Sequence, residues 1–283
     1  MFPAGRDGYR VEFVVVPSSM RLRVVEIGRG DAPPVLLLHG WGASAYMYRH
    51  LAPALAAAGY RAVVPDLRGH GLSDKPRGAT SYRTDVLLGD VSDVLRVLGL
   101  TTPLPVVGQS MGGALALRLA LAGVVSRLVL INPAGLTTVR LAEVGRRVSP
   151  RFLDHFAKHL TPRWLIEALL RGCYGEPSRV APADVDEYWA PSQFPGYARA
   201  MRALLCSFDW SPVDEQRLRA MQVPTLLVTG ERDRVIPGTR AAAGRLRDVE
   251  RLTVPDAGHV VHEECPDAVD EAIVRFVRRS GSA

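Results

Sequence analysis

The sequence contains few cysteines and almost no lysine. Its three cysteines, Cys173, Cys206 and Cys265, lie far apart and form no Cys-x-x-Cys pair, which argues against a disulfide framework and against a zinc site. Lys75 and Lys158 are the only lysines, so the net charge of +6 comes from arginines that are scattered among acidic residues. Because nucleic-acid-binding proteins cluster their basic residues on one face or along a helix, this pattern indicates a solvated surface and no nucleic-acid partner.

Long hydrophobic runs are also absent. No apolar stretch approaches the roughly 18 residues of a membrane span, and the first residues lack the charged start, apolar stretch and cleavage site of a signal peptide. Hydrophobic residues make up 47% of the chain, which suits a globular core. We therefore expect a soluble, cytoplasmic protein, a monomer or homodimer, that requires neither a metal nor an organic cofactor.

Short apolar runs alternate with helical patterns along most of the chain. This alternation is typical of βαβ units and of a mostly parallel, buried sheet. Eight strands are predicted: Val11–Val16, Leu22–Ile27, Val35–Leu38, Ala62–Pro65, Leu104–Val107, Leu128–Ile131, Thr225–Thr229 and Arg251–Val254. The first two are close enough to form an antiparallel hairpin at the sheet edge. Helices are predicted between later strands: Met47–Ala58, Tyr82–Leu98, Gly112–Leu121 and Gly238–Leu246.

The alternation breaks once, between about residues 137 and 221, where no strand-like run occurs. The segments there have the pattern of amphipathic helices, with starts after Thr161-Pro162 and Ser211-Pro212. A helical insertion between two strands predicts a cap over the carboxyl edge of the sheet. The chain then divides into a core of residues 1–136 and 222–283 and a cap of residues 137–221.

A candidate nucleophile lies where an apolar run changes into a helical pattern, in "VVGQSMGGALALRLA". A sharp strand-to-helix turn forces its central residue, Ser110, into a strained conformation, and Gly108 and Gly112 provide the space. A serine hydroxyl needs a general base. His259 follows the last predicted strand on a loop at the same edge of the sheet, and His262, three residues later, is the alternative.

An acid that orients the histidine should follow a strand and lie between serine and histidine in chain order. Asp233, in "TLLVTGERDRVIP", meets both conditions. Glu231 and Asp256 are the alternatives. An oxyanion hole completes such a site: the backbone N–H groups of Met111, directly after the serine, and of Trp41, in the Gly-rich loop "HGWGAS", are the candidate donors.

With these residues, the chain resembles the α/β-hydrolase superfamily, in particular serine hydrolases with a helical cap. The similarity extends over nearly the whole chain and rests on "HGWGAS", "DLRGHGLSDKP", "GQSMGG", "INPAG", "GERDRVIP" and "AGHVVHEECPDAV". It implies an eight-stranded, mostly parallel sheet flanked by helices, with the same five site residues. In this family "DLRGHGLSD" is a structural loop, so Asp66, Arg68, His70 and Ser73 are expected to be scaffold.

The resemblance also indicates which reactions the site could catalyse. Haloalkane dehalogenases and epoxide hydrolases carry aspartate at the turn, whereas serine implies acyl transfer, and hydrolysis of a small to medium hydrophobic carboxylic ester is the first expectation. Carbon–carbon bond hydrolases of aromatic-ring degradation share the Ser-Met-Gly-Gly sequence and are an alternative, although their oxyanion loop is usually longer. Perhydrolase-like relatives, lactonases and small-peptide aminopeptidases are further alternatives, and a hydrolase-fold receptor without turnover is the alternative of another class.

Large apolar side chains of the insertion are candidates for an acyl or aryl pocket, although most of them should pack within the cap or against the sheet. The candidate pocket residues are Phe152, Phe156, Trp164, Leu165, Trp189 and Phe194.

Overall fold

The computed structural model of the protein describes residues 1–140, 142–143 and 161–279. Within these ranges one sheet contains eight strands: β1 (Tyr9–Val15), β2 (Arg21–Ile27), β3 (Pro34–Leu38), β4 (Arg61–Pro65), β5 (Leu104–Gln109), β6 (Val125–Ile131), β7 (Thr225–Gly230) and β8 (Val249–Val254). Their spatial order is β1-β2-β4-β3-β5-β6-β7-β8. β2 is antiparallel to both of its neighbours, and all other pairs are parallel. The predicted mostly parallel sheet and its edge hairpin are confirmed.

The α-helices of the described ranges are α1 (Leu51–Ala57), α2 (Thr84–Val97), α3 (Met111–Leu121), α4 (Arg163–Cys173), α5 (Pro182–Trp189), α6 (Tyr197–Ser207), α7 (Glu215–Ala220), α8 (Thr239–Ala242), α9 (Val261–Glu264) and α10 (Pro266–Arg278). Helices α4 to α7 lie between β6 and β7 in the chain, where the sequence predicts a helical insertion.

The central strands of the sheet are largely apolar on both faces because helices cover both sides of it. In β3, Leu36 and Leu38 pack in one buried cluster, together with residues of α2 and α3. Val35 and Leu37 point to the other face and pack with residues of α1 and α10. All four side chains are fully buried. The continuous apolar runs in the sequence therefore reflect a sheet with a hydrophobic core on each side.

Three predicted helices differ from the structure. The helix predicted over Met47–Ala58 begins as α1 only at Leu51, after a separate 3-10 turn over Ala45–Tyr48. The helix predicted over Gly238–Leu246 is a four-residue α-helix, α8, that changes into a 3-10 turn at Ala243, and Gly244 lies within this turn, where its low helix propensity favours an early end. The helix predicted to start after Ser211-Pro212 begins only at Glu215, because the Asp214 side chain accepts the N–H of Arg217 at 3.0 Å and caps it there. The start after Pro162 is confirmed by α4.

The inserted helices contact the loops at the carboxyl edge of the sheet. The indole Nε1–H of Trp41 donates to the carbonyl oxygen of Met201 on α6 at 3.0 Å, and the Tyr197 hydroxyl donates to the carbonyl oxygen of Gly42 at 3.2 Å. The insertion is therefore in direct contact with the loop after β3. Within the residues that the structure describes, no helix has the length and apolar character needed to cross a membrane.

Candidate active site

Ser110 occupies a strained turn between β5 and α3. Its backbone has φ 50° and ψ −115°, a conformation that costs free energy in a residue other than glycine. A Cβ atom at Gly108 would lie 2.4 Å from the carbonyl oxygen of Gly112, and one at Gly112 would lie 2.0 Å from that of Leu38. The close approach of strand, turn and helix thus requires both glycines, as the sequence predicts.

His259 and Asp233 form a direct side-chain contact. The imidazole Nδ1 lies 3.0 Å from carboxylate Oδ2, and both residues are more than nine-tenths buried. The other carboxylate oxygen, Oδ1, accepts the backbone N–H groups of Val235 at 2.8 Å and Ile236 at 3.0 Å. Burial alone would raise the pKa of Asp233, but the hydrogen bond and charge of His259 and the two N–H donors outweigh it, so this pKa is lowered.

This contact fixes the chemistry of the imidazole. An ionised carboxylate only accepts hydrogen bonds, so Nδ1 of His259 carries the proton and donates it to Asp233. In the neutral form of the ring, Nε2 is left as an acceptor. An imidazole in this tautomer is able to remove a proton from a hydroxyl group.

The alternative acids and base lie elsewhere. The Glu231 carboxylate is half exposed and lies 3.9 Å from Arg240. Asp256 is exposed and pairs with Arg232 at 2.5 Å. His262 is buried and has no side-chain hydrogen-bond partner among the residues that the structure describes, and burial lowers its pKa to about 3. Of the three candidate acids, it is Asp233 whose carboxylate contacts His259.

The loop after β3 passes directly against the serine turn. A Cβ atom at Gly40 would lie 3.3 Å from Cβ of Ser110, so the residue directly before Trp41 packs against the serine. His39 holds this loop, since its Nε2 accepts the N–H of Leu67 at 3.0 Å and its Nδ1 lies 2.8 Å from the carbonyl oxygen of Gly40. Burial lowers the pKa of His39 and keeps its ring neutral.

Two amide side chains hold the peptide of His259, and the sequence assigns neither of them a role. Asn132, directly after β6, donates from Nδ2 to the carbonyl oxygens of Gly258 at 3.0 Å and His259 at 2.9 Å. Gln109, directly before the serine, donates from Nε2 to the same His259 oxygen at 3.2 Å. The sequence places both residues at strand ends, but the direction of their side chains is visible only in the fold.

The candidate pocket residues have different surroundings. Phe152 and Phe156 lie outside the described residues. Trp164 is 67% exposed, Leu165 is half-buried, and the half-buried Trp189 donates its Nε1–H to the carbonyl oxygen of Thr161 at 2.9 Å. Phe194 is 41% exposed and its ring lies 5.9 Å from the Lys75 ammonium. These positions leave the pocket assignment as a prediction.

The scaffold residues of "DLRGHGLSD" are buried, as expected. Asp66 Oδ2 accepts the guanidinium of Arg23 at 2.9 Å, and its Oδ1 accepts the backbone N–H of Ala45 at 2.7 Å. Arg68 pairs with Asp90 through two hydrogen bonds of 2.6 Å. Among the residues that the structure describes, no three His, Cys, Asp or Glu side chains are grouped so as to hold a metal ion.

Known proteins of related sequence carry several activities in their names. A magnesium-chelatase 30 kDa subunit of Rhodobacter capsulatus is 31% identical over 262 residues, 90% of each chain. A haloalkane dehalogenase of Psychrobacter cryohalolentis is 28% identical over 92% of this chain and 88% of its own. A 2-hydroxy-6-oxo-6-(2'-aminophenyl)hexa-2,4-dienoic acid hydrolase of Metapseudomonas resinovorans is 27% identical over 95% and 91%.

Solved structures and the family model agree with these similarities. The structure of Cfl2 from Burkholderia cenocepacia superposes with a TM-score of 0.81 at 26% identity and covers 96% of each chain. The sequence model of the alpha/beta hydrolase family matches residues 35–272, which is most of the chain. The match includes strands β3 to β8, apart from the first residue of β3. The protein belongs to the alpha/beta hydrolase family.

Proposed function

We propose that this protein is a serine hydrolase that cleaves hydrophobic carboxylic esters through an acyl-enzyme. The observation that carries the proposal is the 3.0 Å contact between buried His259 and Asp233 at the sheet edge where Ser110 occupies its strained turn. Haloalkane dehalogenases and epoxide hydrolases act with aspartate at this position. A serine there, with a neutral imidazole oriented by a carboxylate, supports acyl transfer instead.

Acylation begins with the Ser110 hydroxyl. His259 Nε2 takes its proton as Oγ attacks the ester carbonyl carbon, and Asp233 stabilises the resulting imidazolium. The negative charge of the tetrahedral intermediate develops beside the N terminus of α3, where the N–H of Met111 is one donor and the N–H of Trp41 the second. Collapse of the intermediate breaks the carbon–oxygen bond, and the imidazolium protonates the departing alcohol.

Deacylation repeats the sequence with water. His259 removes a proton from a water molecule, whose oxygen attacks the acyl carbon, and Ser110 leaves with the proton returned by the imidazolium. The products are the free acid and the regenerated enzyme. Neither half-reaction requires a metal or an organic cofactor.

The inserted residues 137–221 act in this proposal as a cap that covers the site and chooses the substrate. The contacts of α6 with the loop after β3 support this arrangement. Ser110 and His259 are 8% and 6% exposed, and a site closed to water favours an apolar acyl group. We assign pocket contacts to Trp164, Leu165, Trp189 and Phe194, with the acyl chain lying among them.

The test combines covalent labelling with turnover. A fluorophosphonate probe should label the wild-type protein and leave Ser110→Ala unlabelled, and p-nitrophenyl esters of increasing acyl length should be hydrolysed by the wild type alone. His259→Ala should likewise lose turnover while retaining its thermal unfolding transition. Labelling or turnover that persists in Ser110→Ala would contradict the assignment.

Two other functions give different results in the same assay. Carbon–carbon bond hydrolysis is favoured by the similarity to the Metapseudomonas hydrolase, and it predicts turnover of a ring-cleavage diketone above that of any ester. A binding role without turnover, to which the relative named as a chelatase subunit gives weight, predicts no turnover of either substrate class.

A further inference from the structure

A second buried carboxylate lies five residues after His259. The side chain of Glu264 is fully buried, and its oxygens accept three backbone N–H groups: Oε2 accepts those of Gly258 at 2.7 Å and Gly175 at 3.0 Å, and Oε1 accepts that of Glu176 at 2.8 Å. Hydrogen bonds to an ionised acceptor are stronger than those between neutral groups. Glu264 therefore joins the chain segment that contains Gly258 to the segment that contains Gly175 and Glu176.

The three peptides belong to two separate parts of the chain. Gly258 directly precedes His259, whereas Gly175 and Glu176 follow α4 of the insertion. A direct bond runs in parallel, since the backbone N–H of His259 donates to the carbonyl oxygen of Cys173 at 2.6 Å. The two consecutive peptides that lead into His259 are thus fixed, through the N–H groups of Gly258 and His259, to the end of one inserted helix.

The two backbones touch with no side chain between them. A Cβ atom at Gly258 would lie 2.4 Å from both the carbonyl oxygen of Cys173 and the nitrogen of Gly175, and one at Gly175 would lie 2.0 Å from the carbonyl oxygen of Asp256. Such close packing transmits a displacement of one segment to the other. The carboxylate of Glu264 lies beside this contact and bonds to both sides of it.

The neighbouring Glu263 has a different role. It accepts the Tyr188 hydroxyl of α5 at 2.5 Å and bonds to the guanidinium of Arg49, which also pairs with Asp184 at 2.8 Å. These side-chain bonds join the insertion to the core, and within the part of the chain that the structure describes the Glu263 carboxylate bonds to side chains and not to the Gly258 or His259 N–H groups. Of the two adjacent glutamates, Glu264 is the one whose bonds act on His259.

We propose that Glu264 is a positioning residue, through which the inserted helices set the position of His259. The proposal rests on the proposed function, which makes His259 the base. Gln109 and Asn132 hold the His259 carbonyl from the core side, and Glu264 joins the peptide before His259 to the insertion. Because proton transfer depends on sub-ångström placement of the base, loosening one side of His259 weakens turnover before it weakens substrate binding.

The experiment compares Glu264→Gln with Glu264→Asp and with a matched control, Glu26→Gln. In Glu264→Gln a single oxygen has to serve three N–H donors, so the NH2 group faces at least one of them, and the uncharged oxygen accepts the others more weakly than a carboxylate does. Glu26 is also a buried glutamate, but it pairs with Arg10 and Arg61 far from His259. The control separates a loss of stability from a loss of positioning.

We expect Glu264→Gln to lower kcat on the best p-nitrophenyl ester by about 10- to 100-fold, with KM changed by less than about threefold. The acid limb of its kcat/KM profile should move to lower pH, since a displaced imidazole is less well stabilised by Asp233. Glu264→Asp, which keeps the charge, should recover kcat to within about tenfold of the wild type. Glu26→Gln should lower Tm and leave kcat and the acid limb unchanged.

A readout without turnover is the low-field proton resonance of the hydrogen bond between His259 Nδ1 and Asp233. It should shift or broaden in Glu264→Gln and stay in place in Glu26→Gln. A folded Glu264→Gln with wild-type kcat, or with reduced kcat but an unchanged acid limb and resonance, would overturn the proposal. If only Glu264→Asp folds, the same criteria apply to it, and failure of both variants to fold would assign Glu264 to folding alone.

This test separates the two proposals. A wild-type protein that hydrolyses no ester and reacts with no fluorophosphonate contradicts the proposed function whatever the Glu264 variants do. The proton resonance still reports whether Glu264 sets the position of His259.

Discussion

Replacing Asp233 with asparagine exchanges one carboxylate oxygen for an NH2 group and forces a choice between two sets of hydrogen bonds. In the wild type, Oδ1 accepts the N–H groups of Val235 and Ile236, and Oδ2 accepts Nδ1–H of His259. Asparagine has one oxygen for these three donors. If this oxygen keeps the two backbone bonds, the NH2 group faces His259, whose proton must then move to Nε2. That tautomer is unable to accept a proton from Ser110.

The expected loss of kcat follows from the free-energy cost of the other orientation of the asparagine amide. Turning the amide around would present its oxygen to His259 but leave two buried N–H groups unsatisfied, at about 1–3 kcal/mol each. A total of at least about 2 kcal/mol leaves no more than about one molecule in 30 with the productive tautomer. The variant also lacks the charge that stabilises the imidazolium, and the combined loss in kcat for this substitution in a serine triad is about 10⁴-fold, or ~5.4 kcal/mol.

Initial rates on a p-nitrophenyl ester at neutral pH measure this loss, with Asp214→Asn as the control. Asp214 also accepts a backbone N–H, that of Arg217 at 3.0 Å, at the start of α7, and asparagine serves equally well at such a position. The control should therefore keep wild-type kcat and Tm. If Asp233→Asn retained kcat within about tenfold of the wild type, the reasoning from tautomers would be refuted, and Glu231 would be the next acid to test.

Three further changes test the turn, the core and the base. Gly112→Ala should lower the free energy of unfolding by about 3 kcal/mol or more, since its methyl group would meet the Leu38 carbonyl. Gly89 in α2 has open space around it, so Gly89→Ala should raise the free energy of unfolding by about 0.5–1 kcal/mol. Burial raises the pKa of Asp270 to about 7, so the folded protein loses stability as pH rises from about 4 to 7. Asp270→Asn should therefore raise Tm by an amount that grows across this range and is complete above about pH 7. His262→Phe should keep kcat within about threefold of the wild type, and because burial lowers the pKa of His262 to about 3, it should remove a loss of stability below about pH 6.5.

Each of these changes has a direct measurement. Urea unfolding of both glycine variants should give changes of opposite sign, and equal destabilisation by both would contradict the steric argument. Thermal unfolding of Asp270→Asn should show a larger gain in Tm at pH 8 than at pH 5. An equal gain in Tm at both pH values would rule out ionisation of Asp270 as the cause. Loss of turnover in a folded His262→Phe would make His262 the candidate base.

Much of the fold was predictable because its signals are local. Central strands buried on both faces appear as nearly continuous apolar runs, and the eight predicted strands match the eight observed strands to within a few residues. Helix boundaries were less predictable when a later polar residue provided a better cap. Asp214 caps α7, which begins at Glu215, three residues after Pro212, where the sequence predicts the start. The local pattern alone does not decide between two adequate starts.

The sequence by itself determined the order of the chemical groups: a serine between glycines at a strand end, then Asp233, then His259 after the last strand. It could do so because a strand-to-helix turn and a loop at a strand end are features of a few neighbouring residues. Only the tertiary structure decided which carboxylate contacts His259, where the amide of Gln109 points, and that Glu264 joins the His259 loop to the inserted helices. These contacts bring together residues that lie up to 150 positions apart, and side-chain direction across such distances depends on the packing of the whole chain.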